Sequence, residues 1–113
     1  MYPKFGDIYY AILSGHYPNS VQTGTRPVLI AQNNTGNKYS PTVTVIPVTK
    51  KHKASYMPTH IDIDYSGGLA YNSVLMVEQI QTISKDQLVS RVGKLDKSYY
   101  EQIKKALSIQ CPF

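Results

Sequence analysis

The chain has 113 residues, 42% of them hydrophobic, and carries twelve Lys and Arg against seven Asp and Glu, a formal net charge of +5. That length supports one hydrophobic core, read as a single domain over residues 1–113, and no apolar run approaches the roughly 20 residues needed to span a bilayer as a helix. With one cysteine, Cys111, and a start (MYPKFGDIYY) that lacks the basic flank and apolar core of a secretory signal, the expectation is a reduced, cytoplasmic protein.

Period-two alternation and β-branched residues dominate the first two thirds. DIYYAIL (Asp7–Leu13) reads as a strand, followed by the polar loop SGHYPNSVQTGT (Ser14–Thr25). A loop of that length in a compact domain is more often functional than a plain connection. RPVLIAQN (Arg26–Asn33) is the second strand, with Pro27 at its start, where no ladder donor is needed. NNTGNKYS (Asn33–Ser40) reads as a turn rich in residues that tolerate positive φ. TVTVIPVT (Thr42–Thr49) and THIDIDY (Thr59–Tyr65) are strands three and four. After the Gly67-Gly68 break, SVLMVEQIQTI (Ser73–Ile83) is the longest apolar run, which predicts a single central strand. SKDQL (Ser84–Leu88) offers a serine cap and a helical turn or two, and RVGKL (Arg91–Leu95) returns to extended structure. Asp96 then caps KSYYEQIKKALSI, where Tyr100, Ile103 and Leu107 recur at helical spacing. Five or more short strands followed by a C-terminal helix describe a mainly β fold, a small, strongly bent sheet or barrel.

The charge is unevenly distributed. From Ile8 to Ile61 there is no Asp or Glu, yet Arg26, Lys38, Lys50, Lys51 and Lys53 lie there. Elsewhere seven basic residues balance seven acidic ones, so the excess of +5 comes from about half the chain. A one-sided basic field suits an anionic partner such as nucleic acid or an acidic protein tail, or is simply a solvated lysine-rich face.

Most catalytic signatures are missing. His16, His52 and His60 show no metal-ligand spacing, no Gly-rich loop precedes a Lys-Ser/Thr pair, and no G-x-S-x-G occurs. Asp62 and Asp64 share a strand face and are expected to point to solvent. What remains is arginine, hydroxyls, amides and lysines. That inventory favours phosphoryl transfer from RNA, where the substrate supplies its own 2′-hydroxyl nucleophile and no metal is required. One of only two arginines, Arg26, suits the phosphate, because a guanidinium binds it bidentately and keeps its proton. The competing reading of Arg26 is a loop anchor bonded to backbone carbonyls.

These same segments resemble, in order and over nearly the whole chain, the MazF/PemK/Kid toxins: GDIYYAIL, a Gly-containing loop, TRPVLIAQNNTGNKYSPTVTVIPVT, PTHI, SVLMVEQIQTI and VGKLD. The resemblance implies a small SH3-like barrel, of the type shared by these toxins and the gyrase poisons. It also implies a cofactor-free homodimer that cleaves single-stranded RNA at short sequences, leaving a 2′,3′-cyclic phosphate and a 5′-hydroxyl. The implied partner is a cognate antitoxin whose acidic tail covers the RNA groove. Carried over by position, the catalytic arginine falls on Arg26 and the catalytic threonine on Thr49, otherwise an ordinary strand-end residue. The RNA-contacting positions fall on Ser20, Gln22, Asn33 and Gln79, while Lys50, Lys51 and Lys53 are expected either to contact backbone phosphates or merely to solvate the loop. Asn33 has a rival role in its turn, and Glu78 reads as a packing or anchoring residue. The family loop often runs Gly-x-Glu-x-x-Gly-x-Arg-Pro, whereas here the run is NSVQTGTRP, with Asn19 and Val21 in place of the glycine and glutamate. Val21 takes no proton, so either Thr49, His16 or a water serves instead, or the enzyme is slow, or the glutamate is not essential to the chemistry. Two rival functions share the fold: a gyrase poison acting through the end of the C-terminal helix, which here reads SIQCPF, and a passive RNA-binding barrel.

Overall fold

The computed structural model describes residues 2–13, 24–51 and 57–113. Its strands are β1 (Asp7–Leu13), β2 (Gly24–Ile30), β3 (Thr42–Lys50), β4 (His60–Asp64), β5 (Ser73–Met76), β6 (Gln81–Ser84) and β7 (Leu88–Lys94). Two α-helices join them, α1 (Asn34–Tyr39) and α2 (Tyr100–Gln110). The ladders are antiparallel in the order β4-β5-β3-β2-β1-β7, with β6 also on β3. The mainly β architecture with a C-terminal helix is as expected, but β4 and β7 at the two ends do not pair, so hydrogen bonds do not close the sheet among the described residues.

Backbone contact bridges that gap instead. The 3₁₀ turn Ser66–Gly68 after β4 lies on β7, and a Cβ on Gly93 would overlap the carbonyl oxygen of Gly67 and come within 2.7 Å of its carbon. Gly67 has φ +70°, a value open to glycine and costly for most residues. Asp96 accepts from the Ser98 backbone N–H at 2.8 Å, and the bonds from Ser98 hold its carboxyl below the usual carboxylate range. It therefore caps the turn leading into α2, as its position suggests.

Strand alternation sends side chains to two cores. Ile8, Leu29, Ile46, Val48, Leu75 and Leu95 form one with Ala106 of α2, against which Tyr100, Ile103 and Leu107 pack at their helical spacing. Ala11, Leu13, Val28, Ile30, Val43, Val45 and Ile83 form the other. A strongly bent sheet buries both faces, which is why alternation gives way to four consecutive buried residues at Val45–Val48 of β3.

Two elements differ from expectation. The run Ser73–Ile83 is two strands separated by a 3₁₀ turn at Val77–Gln79. β5 pairs with Val48–Lys50, whereas β6 pairs with Thr42–Val45, and the register slips by three residues between the two ladders, the length of that turn. Apolarity reports burial, and a buried corner is as apolar as a buried strand, so the pattern hides the break. The central strand is thus β3, which pairs with β2, β5 and β6. Secondly, NNTGNKYS is helical rather than a simple turn, and β2 stops at Ile30. Asn33 caps α1 by accepting from the Gly36 N–H at 2.8 Å. Buried Asn37 donates to the Gln32 carbonyl at 2.9 Å, and Asn34 Oδ1 accepts from the Phe5 N–H at 2.7 Å. Amide side chains replace the backbone partners that a helix this short cannot supply.

Candidate active site

β3 has β2 on one edge, and β6 then β5 on the other. Val45–Pro47 pair with β2, and Val48–Lys50 pair with β5. Pro27 has no N–H to extend the β2 ladder, so the two strands part beyond Val28 and Pro47. A cleft of about 350 Å³ opens there, bordered by Tyr10, Thr25–Pro27, Val48–Lys50, Leu69–Tyr71 and Ser73. Continuing the β2–β3 register by two residues sets Arg26 opposite Thr49, and both line this cleft.

Arg26 is held in β2 opposite Ala11, and Thr49 in β3 opposite Val74. Both side chains are half-buried, on strands paired on at least one side, so their placement is set by the sheet and not by a loop. Lys50 adds a second cation at the rim, and no carboxylate lines the cleft among the described residues. Two positive charges with hydroxyl donors, and no carboxylate among the described residues of the cleft, make a site for a phosphate group.

The other expected contacts are dispersed. Lys51 is paired with Asp62 at 2.9 Å and does not line the cleft. Asp62 and Asp64 are exposed, as their alternation suggests. Asn33 is engaged as the α1 cap, at the far end of β2. Gln79 sits on the Val77–Gln79 turn, its Nε2 3.8 Å from Met76 Sδ. Beside it Glu78 accepts from Thr59 Oγ1 at 3.0 Å and meets His60 Nε2 at 2.9 Å, tying the start of β4 to this turn. Ser20, Gln22 and Lys53 lie outside the described residues, as do His16, Asn19, Val21 and His52. Sequence reasoning missed Tyr10, Tyr71 and Ser73 as cleft residues, since no local motif distinguishes them from other strand and loop positions.

No group of three His, Cys, Asp or Glu side chains gathers as a metal site among the described residues. A smaller hollow of about 170 Å³ lies between β2 and α2, walled mostly by Phe5, Leu29, Tyr100, Ile103 and Leu107. It lacks the paired cations of the cleft.

The family model described as "PemK-like, MazF-like toxin of type II toxin-antitoxin system" matches residues 4–111. The chain belongs to this PemK/MazF family. It is 40% identical to endoribonuclease EndoA of Bacillus subtilis over 110 residues, covering 96% of this chain and 94% of that protein. It is 41% identical to endoribonuclease MazF of Staphylococcus saprophyticus over 105 residues, covering 92% and 87% respectively. The fold is similar to that of a mycobacterial endoribonuclease solved in complex with its cognate antitoxin, with a TM-score of 0.79 at 23% identity over 98% of this chain and 96% of that one. No helix among the described residues of this PemK/MazF chain is long and apolar enough to cross a membrane.

Proposed function

We propose that this PemK/MazF protein is an endoribonuclease toxin that cuts single-stranded RNA at the β2–β3 cleft. The observation that carries the reading is that Arg26 and Thr49 line one cleft with no carboxylate among the described residues. The 2′-oxygen attacks the adjacent phosphorus, the bond to the 5′-oxygen breaks, and the products are a 2′,3′-cyclic phosphate and a 5′-hydroxyl. Because the nucleophile belongs to the substrate, the protein's task is to orient the chain and stabilise charge on the phosphorane. Arg26 neutralises the non-bridging oxygens, and the Thr49 hydroxyl donates to one of them or relays a proton. Lys50 steers the backbone, and Ser20, Gln22 and Lys53 contribute from the segments that flank β2 and follow β3. The basic first half of the chain also suits the acidic tail of a cognate antitoxin, and the active form is a cytoplasmic homodimer.

The test is incubation of the purified protein with mixed-sequence single-stranded RNA in EDTA, followed by mapping of fragment ends. Discrete cuts bearing 5′-hydroxyls are expected, with Arg26→Ala slowing cleavage by about 10²–10³ and weakening RNA affinity less. Intact RNA across varied substrates, or undiminished cleavage by Arg26→Ala, refutes the proposal.

A further inference from the structure

We infer that Tyr71 is the platform on which one base of the RNA stacks while its neighbouring phosphate is held at Arg26 and Thr49. The inference rests on the ribonuclease reading of the cleft and adds a recognition element to it.

Tyr71 is 57% exposed although it lines the cleft that contains Arg26 and Thr49. Its backbone is held on both sides. Leu69 is buried in the core that faces α2, and Ser73 is 3% exposed, its hydroxyl donating to the Tyr71 carbonyl at 2.7 Å. Between them the Lys51 N–H donates to the Asn72 carbonyl at 2.8 Å, pinning the segment to the end of β3. A large apolar ring is therefore presented to solvent from a fixed backbone, where an unconstrained loop would let it fold onto the surface. Across one face of the ring stands Lys50 Nζ, 4.7 Å from the centroid.

That combination matches single-stranded RNA more closely than any other ligand of a basic cleft. A free phosphate would use Arg26 and Lys50 and leave the ring without a partner, and an acidic peptide would cover it only by bringing an apolar side chain alongside its carboxylates. Unpaired bases stack on tyrosine faces, whereas the phosphates between them need cations a few ångströms away. Tyr71 loses little conformational freedom when a base covers it, and Lys50 is long enough to swing from the ring face to a backbone phosphate. Stacking discriminates weakly among bases, so Tyr71 anchors a nucleotide and leaves sequence choice to hydrogen-bonding groups.

The experiment uses the full-length protein and an RNA containing a mapped cut site, with 2′-deoxyribose at the attacking nucleotide to prevent cleavage. Dissociation constants are measured by fluorescence anisotropy for wild type, Tyr71→Phe and Tyr71→Ala, on the parent strand and on strands with a single abasic position. Tyr71→Ala is expected to bind roughly 5- to 150-fold more weakly, with Tyr71→Phe close to wild type. One abasic position should weaken wild type but cost Tyr71→Ala nothing further. Unchanged binding by Tyr71→Ala overturns the inference, as does a loss in Tyr71→Phe equal to that in Tyr71→Ala, or an abasic profile identical for wild type and Tyr71→Ala. Wild-type cleavage is scored first: if the wild type cuts no RNA, the ribonuclease reading itself fails, a result distinct from cleavage that ignores Tyr71.

Discussion

Replacing Gly93 by alanine tests whether the ends of the sheet are held together by backbone contact. The new Cβ would overlap the Gly67 carbonyl oxygen and sit 2.7 Å from the carbonyl carbon and 3.4 Å from the Gly68 nitrogen. All three are main-chain atoms, so no side-chain rotation relieves the overlap. The turn Ser66–Gly68 cannot simply retreat, because Ser66 Oγ accepts from the Asp96 N–H at 3.4 Å and Leu69 is buried directly after it. Overpacking a tight site typically costs ~1–3 kcal/mol, and rigid neighbours place this one near ~2–3 kcal/mol. Per-residue unfolding entropies imply that each kcal/mol lowers the Tm of a chain this size by about 4 °C, so a fall of roughly 8–12 °C is expected. The assay is thermal unfolding followed by circular dichroism, with exposed Ser90→Ala on the same strand as a control expected to stay within about ±0.5 kcal/mol. A Tm shift for Gly93→Ala no larger than the control's would mean that the two backbones are not in contact and that the sheet ends are held some other way. The turn leads directly into the Leu69–Tyr71 wall of the cleft, so RNA affinity should fall along with stability.

Asp62→Asn releases Lys51 from its ion pair; exposed pairs are worth ~0.2–1 kcal/mol, so affinity for an uncleavable single-stranded RNA at low salt should rise about 1.4- to fivefold. An unchanged affinity would show that Lys51 lies off the RNA path. Glu78→Ala leaves Thr59 and His60 without their shared acceptor and should cost about 1–3 kcal/mol, read as a lower urea midpoint at constant m-value. A midpoint equal to wild type would show that the start of β4 is anchored without this carboxylate.

Several elements were readable because their signals are local. β1 carries its alternation on its own, and the Asp96 cap with Tyr100, Ile103 and Leu107 specifies α2 within one stretch of chain. Gly67-Gly68 announces a break wherever it occurs. Other features depend on distant residues. Ser73–Ile83 looks like one strand because both halves are buried, and only pairing with opposite ends of β3 makes it a corner. Asn33 resembles a ligand-binding amide in sequence, but the N–H groups of the first helical turn engage it as a cap. Lys51 counts as a free cation until β4 brings Asp62 to within 2.9 Å of it.

The candidate site divides along the same line. Two arginines among twelve basic residues, with no carboxylate from Ile8 to Ile61, single out Arg26 in the sequence alone. Nothing in the chain order places Arg26 beside Thr49, twenty-three residues away, or beside Tyr71. Their sharing one cleft follows from the β2–β3 register, which Pro27 ends by lacking an N–H, and from the apolar corner at Val77–Gln79 that brings β5 to the other edge of β3. The sequence by itself determined which chemical groups exist, their charge and the local strand and helix propensities, because these depend on covalent structure and near neighbours. Only the tertiary structure decided which groups share a cleft and which are consumed by caps and ion pairs, because those outcomes are set by the register between segments far apart in the chain.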